Sequence, residues 1–401
     1  MNNMKEGTRE SEGQIESQEE LSPEILEIEN LDRENSFVVT NERNENGDPV
    51  ENVAWLRLDN GKSSVEGKFY VGQPEKSEKR KLVIFEPGLP GDGVIMMDSR
   101  HAPALAEMGY DVINLRHNGT VTQGEKAHRY VHCPEKEQRA AAQEQESMGK
   151  PFSYDEWRNE VLLATRSMAD GYDEVHFIGH SMGAANIANA LAAIERENPE
   201  LLDRIKSFIS LSGGMGKPKP EREGALDELK ELLETWHQVG DDKKADLTKE
   251  IEPLLTKVTT NPDLGRKLRD LTSALRKVRD DGILVSEEPY ENIRQYLQAI
   301  DRIYNTDYSG FSEMRFMGVS PTTRPKVFAN RSEDEYCSIL AQRCFQDHLA
   351  PGLKEKSRVV AYGGRAEPDR GKEVHDYAHL PTSFLVRWLN AESAEKTMSK
   401  R

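Results

Sequence analysis

A serine stands between two glycines in Gly179-His180-Ser181-Met182-Gly183, directly after the short run "VHFI" and directly before "AANIANALAAI". A packed core has no use for a hydroxyl at a sharp bend. The pattern is that of a strand turning abruptly into a helix. Glycines remove Cβ atoms where the two crowd together, and the serine hydroxyl then projects at the carboxyl end of a sheet. The chemistry suited to that placement is nucleophilic attack by Oγ on an acyl carbon. The bland alternative is an ordinary turn serine, and the apolar strand and small-residue helix on either side argue against it.

A serine nucleophile needs a base to take its proton and a carboxylate to orient the base. Behind a turn of this kind the partners follow in the order serine, acid, histidine. The stretch "KVFANRSEDEY" supplies Glu333, Asp334 and Glu335. Asp334, where the loop leaves the strand, is the candidate acid and Glu333 the second. All three could instead favour a solvated helix N-terminus. Further on, "GKEVHDYAHLP" supplies His375 and His379. His375 leaves the loop more room to fold back over the sheet edge and is the candidate base, with His379 the alternative. The oxyanion that forms on attack needs donors. One is the Met182 N–H. The other is expected from "EPGLPGDG", where Leu89 is the candidate because Pro87 and Pro90 have no N–H. His117 and Asn118 end a strand in "LRHNGT" and are candidates to line a pocket, or else to build an Asn-Gly turn. His180 is a further pocket candidate. The pair His375/His379, like His128 and His132 beside Cys133, lacks an evident third ligand, so no metal is expected, and the chemistry requires no cofactor.

These residues need elements to position them. "SFVVT", "VAWLRLD" and "GKFYVGQ" alternate and are separated by turn residues, so antiparallel strands are expected from Ser36 onward. Apolar runs of the buried parallel type follow: Lys81–Gly88, Tyr110–Gly119, Glu174–Ser181, Ile205–Gly214, Lys326–Ser332 and Arg358–Gly364. Helical patterns lie between several of them, at Ser99–Met108, Ser153–Asp170, Gly183–Glu197, Ser338–Leu349 and Pro381–Leu389. This alternation predicts an α/β fold, a mostly parallel sheet covered on both faces. The expected organisation is an acidic tail (1–35), a first core part (36–214), a helical insertion (215–323) and a second core part (324–401). The insertion reads as amphipathic helices such as "ALDELKELLETWHQV" and "YENIRQYLQAIDRIY".

Bulk composition narrows the partners. The chain has 401 residues and a net charge of −17. That balance disfavours nucleic acid and anionic lipid. The tail carries eleven acids against three bases, with little apolar surface to bury, so disorder is expected there. No apolar run approaches the roughly 18 residues that span a bilayer, and "MNNMKEGTRE" opens no leader-like run. Cys133, Cys337 and Cys344 are few and lack zinc-ligand spacing, which suits free thiols in a reducing compartment. A cytoplasmic location is the expectation.

Taken together, "GHSMG", "PGLPG", "RSEDEY" and "HDYAH" before "RWL" resemble the α/β-hydrolase superfamily, most closely its cap-bearing serine esterase, lipase and aminopeptidase-like branch. The resemblance spans about residues 37–390. It implies an α/β-hydrolase sheet, a helical cap inserted after the sixth strand, and hydrolysis of an ester, thioester or amide through an acyl-enzyme. Three features depart from the pattern. The oxyanion loop is Pro87-Gly88 rather than His-Gly, Ala184 stands where glycine is frequent, and the cap is long and charged without a continuous apolar face. A small carboxylic ester acted on by a Ser-His-Asp triad is the leading expectation. An aminopeptidase-like amide hydrolase or an acyltransferase on the same site is the alternative. A non-catalytic binding or scaffold protein on this fold is the alternative of another class. The oligomeric state is not readable.

Overall fold

The structure, a computed structural model, describes residues 38–43, 46, 48–73, 79–88, 94–117, 154–213, 215, 220–258, 288–321, 339–362 and 380–390. Three antiparallel strands open it: β1 (Val38–Arg43), β2 (Pro49–Asp59) and β3 (Ser64–Tyr70). Six more follow: β4 (Lys81–Glu86), β5 (Tyr110–Arg116), β6 (Glu174–His180), β7 (Ile205–Leu211), β8 (Arg315–Pro321) and β9 (Arg358–Tyr362). All nine belong to one sheet in the order β1-β2-β3-β5-β4-β6-β7-β8-β9, and every neighbour pair from β5 to β9 is parallel. The swap of β4 and β5, with an antiparallel strand beside β5 and a helical crossover after β6, is the strand order of the α/β-hydrolase fold. That is the fold read from the motifs.

Helices cover both faces, so the central strands are apolar on both sides. Leu82, Ile84, Ile113, Leu115, Val175 and Phe177 pack beneath α2 (Tyr154–Ala169) and α3 (Met182–Glu197). The alternate residues Val83, Phe85, Val112 and Ile178 face the π-helical stretch Val94–His101, α1 (Ala102–Glu107) and, near the C-terminus, α9 (Thr382–Leu389). The small residues of α3 let it lie close on the sheet, and most of them are buried. A 3₁₀ turn at Pro199–Arg204 then leads into β7.

The expected boundary of the insertion needs correction. The segment 215–323 was assigned wholly to helices, yet β8 lies inside it and pairs with both β7 and β9. "RFMGVSP" carries a glycine and ends in proline, which weakened its strand signal. Three helices of that segment are described: α4 (Pro220–Gln238), α5 (Asp241–Val258) and α6 (Glu288–Tyr304). Of these, α6 docks on the core. Arg302 donates from Nε to Asn189 Oδ1 of α3 at 2.9 Å and from Nη2 to Asp155 Oδ1 of α2 at 2.6 Å. The expected strand Lys326–Ser332 lies outside the described residues, as do the tail and two of the cysteines; Cys344 is a free thiol, half-buried on α7 (Ile339–His348). The short helix α8 (Pro351–Lys356) completes the described set. Among the described residues no helix is long and apolar enough to cross a membrane.

If β8 is a core strand, its buried aromatic carries core-sized energy. Phe316 is fully buried, with ring centroids 5.4 Å from Phe208 on β7 and 4.9 Å from Phe345 on α7. Phe316→Ala is expected to lower the unfolding free energy by about 3–5 kcal/mol, measured by urea denaturation. A loss below about 1 kcal/mol would return this stretch to the insertion.

Candidate active site

The bend between β6 and α3 holds Ser181 at φ 52° and ψ −119°. A positive φ on a residue with a Cβ is a strained backbone, of order 1–3 kcal/mol, and needs surroundings that enforce it. Two contacts do so. The Ser181 N–H donates to the Leu211 carbonyl at the end of β7, at 2.8 Å. On the other side α3 is pressed against the end of β4. A Cβ on Gly183 would lie 2.3 Å from the Glu86 carbonyl oxygen and 2.4 Å from that of Pro87. Only glycine allows that approach.

The turn after β4 closes over the serine. A Cβ on Gly88 would lie 2.8 Å from Ser181 Cβ and 3.0 Å from the His180 carbonyl oxygen, with His180 Nδ1 at 3.3 Å. The backbone of the Pro87–Gly88 turn is therefore in contact with the serine, where oxyanion donors must stand. Ser181 itself is buried, 8% exposed. Met182 opens α3, so its N–H is among the helix amides with no partner inside the helix, at the positive end of the helix dipole. An anion beside Ser181 would meet that end.

The structure thus brings together Ser181, Met182, His180 and the turn that precedes Leu89. Leu89, Asn118, Glu333, Asp334, His375 and His379 lie outside the described residues. His117 is described, and it does not face open space. It is fully buried, with its ring stacked on Trp157 of α2 at 4.2 Å between centroids. Each ring nitrogen meets a carboxylate. Nε2 lies 2.5 Å from Glu86 Oε2, and Nδ1 is paired with Glu160 Oε2 of α2. The other oxygen of Glu86 accepts from Asn186 Nδ2 of α3 at 2.9 Å. All four residues are at most 2% exposed.

The electrostatics follow from that geometry. Burial alone would push the His117 pKa down, but the charges and hydrogen bonds of Glu86 and Glu160 outweigh it and raise the pKa to about 9. Burial raises the Glu86 pKa, opposed by His117 and by the Asn186 amide. This cluster escaped the sequence reading, although period-two counting contains it. Glu86 follows Leu82 and Ile84 on one face of β4, and His117 follows Ile113 and Leu115 on the same face of its strand. Among the described residues no group of three His, Cys, Asp or Glu side chains is arranged to hold a metal ion.

No family model and no curated protein matches the chain. Among solved structures it is similar to a highly thermostable carboxyl esterase from Bacillus coagulans, with 14% identity over 88% of this chain and 99% of that one and a TM-score of 0.44. It is similar to a proline iminopeptidase from Mycobacterium smegmatis, with 14% identity over 83% and 97% and a TM-score of 0.35. A dienelactone hydrolase from Anabaena variabilis shares 10% identity over 88% and 98%, with a TM-score of 0.38. At these values no residue role passes from them to this chain, and the fold rests on the strand order.

The strain at the bend has a measurable sign. Ser181→Gly is expected to raise the unfolding free energy by about 1 kcal/mol, because glycine accepts φ 52° without penalty. Gly183→Ala should lower it by about 1–3 kcal/mol, because the new methyl meets backbone carbonyls that cannot step aside. Denaturant midpoints of the two variants moving in the same direction would contradict this geometry.

Proposed function

We propose that the chain is a serine hydrolase that cleaves a carboxylic ester or a related acyl bond through an acyl-enzyme. The observation that carries the reading is the strained backbone of Ser181 at the end of β6, enforced by the Leu211 carbonyl and the Gly183 contact. Strain of this size persists where function needs it, and an ordinary turn would have taken glycine.

In this reading Ser181 Oγ attacks the acyl carbon while His375, or His379 in its place, takes the hydroxyl proton. Asp334 orients the imidazole, with Glu333 the second choice. The N–H groups of Met182 and Leu89 hold the oxyanion. The histidine returns the proton to the leaving alcohol as the carbon–oxygen bond breaks and the acyl-enzyme forms. Water then gives a proton to the same histidine, attacks the acyl carbon, and Ser181 leaves reprotonated. No step calls for a cofactor.

The test is covalent labelling with a fluorophosphonate probe, followed by peptide mass mapping. Wild type should be labelled at Ser181, and Ser181→Ala should not be labelled at all. Of His375→Ala and His379→Ala, one should lose labelling by roughly 10³-fold or more and the other should keep it. Labelling that persists in Ser181→Ala, or a folded wild type that is never labelled, would end the serine-hydrolase reading. Labelling at Ser181 would be followed by a comparison of ester, thioester and aminoacyl-amide substrates.

A further inference from the structure

Glu86 is the last residue of β4 and the residue immediately before the Pro87–Gly88 turn that touches Ser181. Its backbone carbonyl bears on Gly183, and its side chain is held from two directions. Asn186 donates to one carboxylate oxygen and His117 faces the other. His117 is anchored in turn by Glu160 and by the Trp157 ring, both on α2. The chain of contacts therefore runs from α2 through the end of β5 to the end of β4 and on to the turn. On the opposite face of β5, Arg116 and Asn114 are committed to Asp98.

We infer that the buried Glu160–His117–Glu86 relay is a positioning device: it fixes the end of β4, and so sets the Pro87–Gly88 turn against Ser181. This rests on Ser181 being the nucleophile. Neither glutamate nor His117 touches a reacting atom in that reading. They act through the turn, whose fit against Ser181 sets the shape of the oxyanion site to within a few tenths of an ångström.

The protons give the device a signature. Both ring nitrogens face carboxylate oxygens, so both hydrogen bonds are made only when both nitrogens carry protons. Among the described residues the charged or polar groups that meet the relay are Glu86 from β4, Glu160 from α2 and Asn186 from α3. When His117 loses one proton to solvent, a bare nitrogen lone pair opposes a carboxylate and one bond of the relay is lost. The folded pKa is raised above the ordinary value of 6.5, to about 9. The relay is therefore complete below 6.5 and fails as pH rises through about 9. A purely structural cluster would shift stability over that range without moving the reactivity of Ser181.

The experiment measures the fluorophosphonate labelling rate of Ser181 from pH 6 to pH 10.5, corrected for probe hydrolysis. Melting temperature is followed in parallel. Wild type should lose about tenfold in rate across an upper limb near pH 9. Glu160→Gln keeps the shape of the side chain but removes one of the two carboxylate charges, so the limb should move down by about one pH unit or more. His117→Gln removes the titrating group and should abolish the limb, at a rate about ten- to a hundredfold below wild type. A limb at the same pH in wild type and in whichever variant folds, or no limb in wild type, overturns the proposal. Deuterium exchange of the peptide containing Glu86 and Gly88, corrected for intrinsic rate, supplies the second readout. If wild type is not labelled, the hydrolase reading fails. The relay then stands only if protection of that peptide is lost near pH 9 in wild type, and it falls if protection is unchanged.

Discussion

The arrangement around Ser181 depends on one close approach, that of Gly183 to the carbonyls of Glu86 and Pro87. It clamps the start of α3 onto the end of β4, and the bend between β6 and α3 has then no relaxed conformation to adopt. Ser181 takes φ 52° because the chain on either side is already fixed. The Leu211 carbonyl accepts the Ser181 N–H and ties β7 into the same knot. Three adjacent parallel strands thus end at one serine, and the Pro87–Gly88 turn reaches it only because Gly88 has no side chain to collide with Ser181.

Charge is used sparingly in this core and is concentrated where the strands end. Two buried clusters flank the end of β5, one on each face: Arg116 and Asn114 with Asp98, and His117 with Glu86 and Glu160. Desolvating such groups costs several kcal/mol per ion, so a buried ion pair is weak evidence of stability. Its advantage is direction. Apolar side chains such as Val83 and Ile84 fill space and hold the middle of β4 without fixing its azimuth. A carboxylate gripped by an imidazole and an amide fixes the end of the strand in orientation as well as position. That distinction matters for a turn packed against the strained Ser181, and it matters little for the strand's middle.

Much of the fold was legible in the sequence because strand and helix periods differ so clearly here. Five of the six expected parallel runs contain strands of the sheet, and "GHSMG" sits at the bend the motif requires. What was not legible has physical causes. "RFMGVSP" was passed over as a strand because a glycine and a proline dilute its pattern, yet Gly318 is there for packing: a Cβ would lie 2.8 Å from Gln342 Cβ. His117 was a candidate to line a pocket or to build an Asn-Gly turn, because it ends a strand and strand ends border ligands in such sheets. Its partner Glu160 is 43 residues away on a helix. No local pattern announces a contact whose two sides are set by a strand period of two and a helix period of 3.6.

The charge density of the insertion has a partial account in how its helices meet. Lys230 on α4 pairs with Asp301 on α6 at 2.8 Å, and Glu234 on α4 accepts from Arg294 and Gln298 on α6 at 3.3 and 3.0 Å. The seam between α4 and α6 is thus partly ionic and partly exposed. Pairs of that kind contribute about 0–1 kcal/mol each and weaken with salt. The seam between α6 and the core is apolar at its centre. Ile300 and Ile303 are buried in the main apolar cluster, and Arg302 bonds to both α2 and α3. Apolar burial is not screened by salt, and Leu229, Leu233 and Trp236 of α4 are buried in that same cluster, so added salt weakens only the ionic rim of the α4–α6 seam. By its contacts α6 belongs to the hydrolase-fold core. α4 joins it through Leu229, Leu233 and Trp236, so the charges of the insertion edge that contact rather than make it.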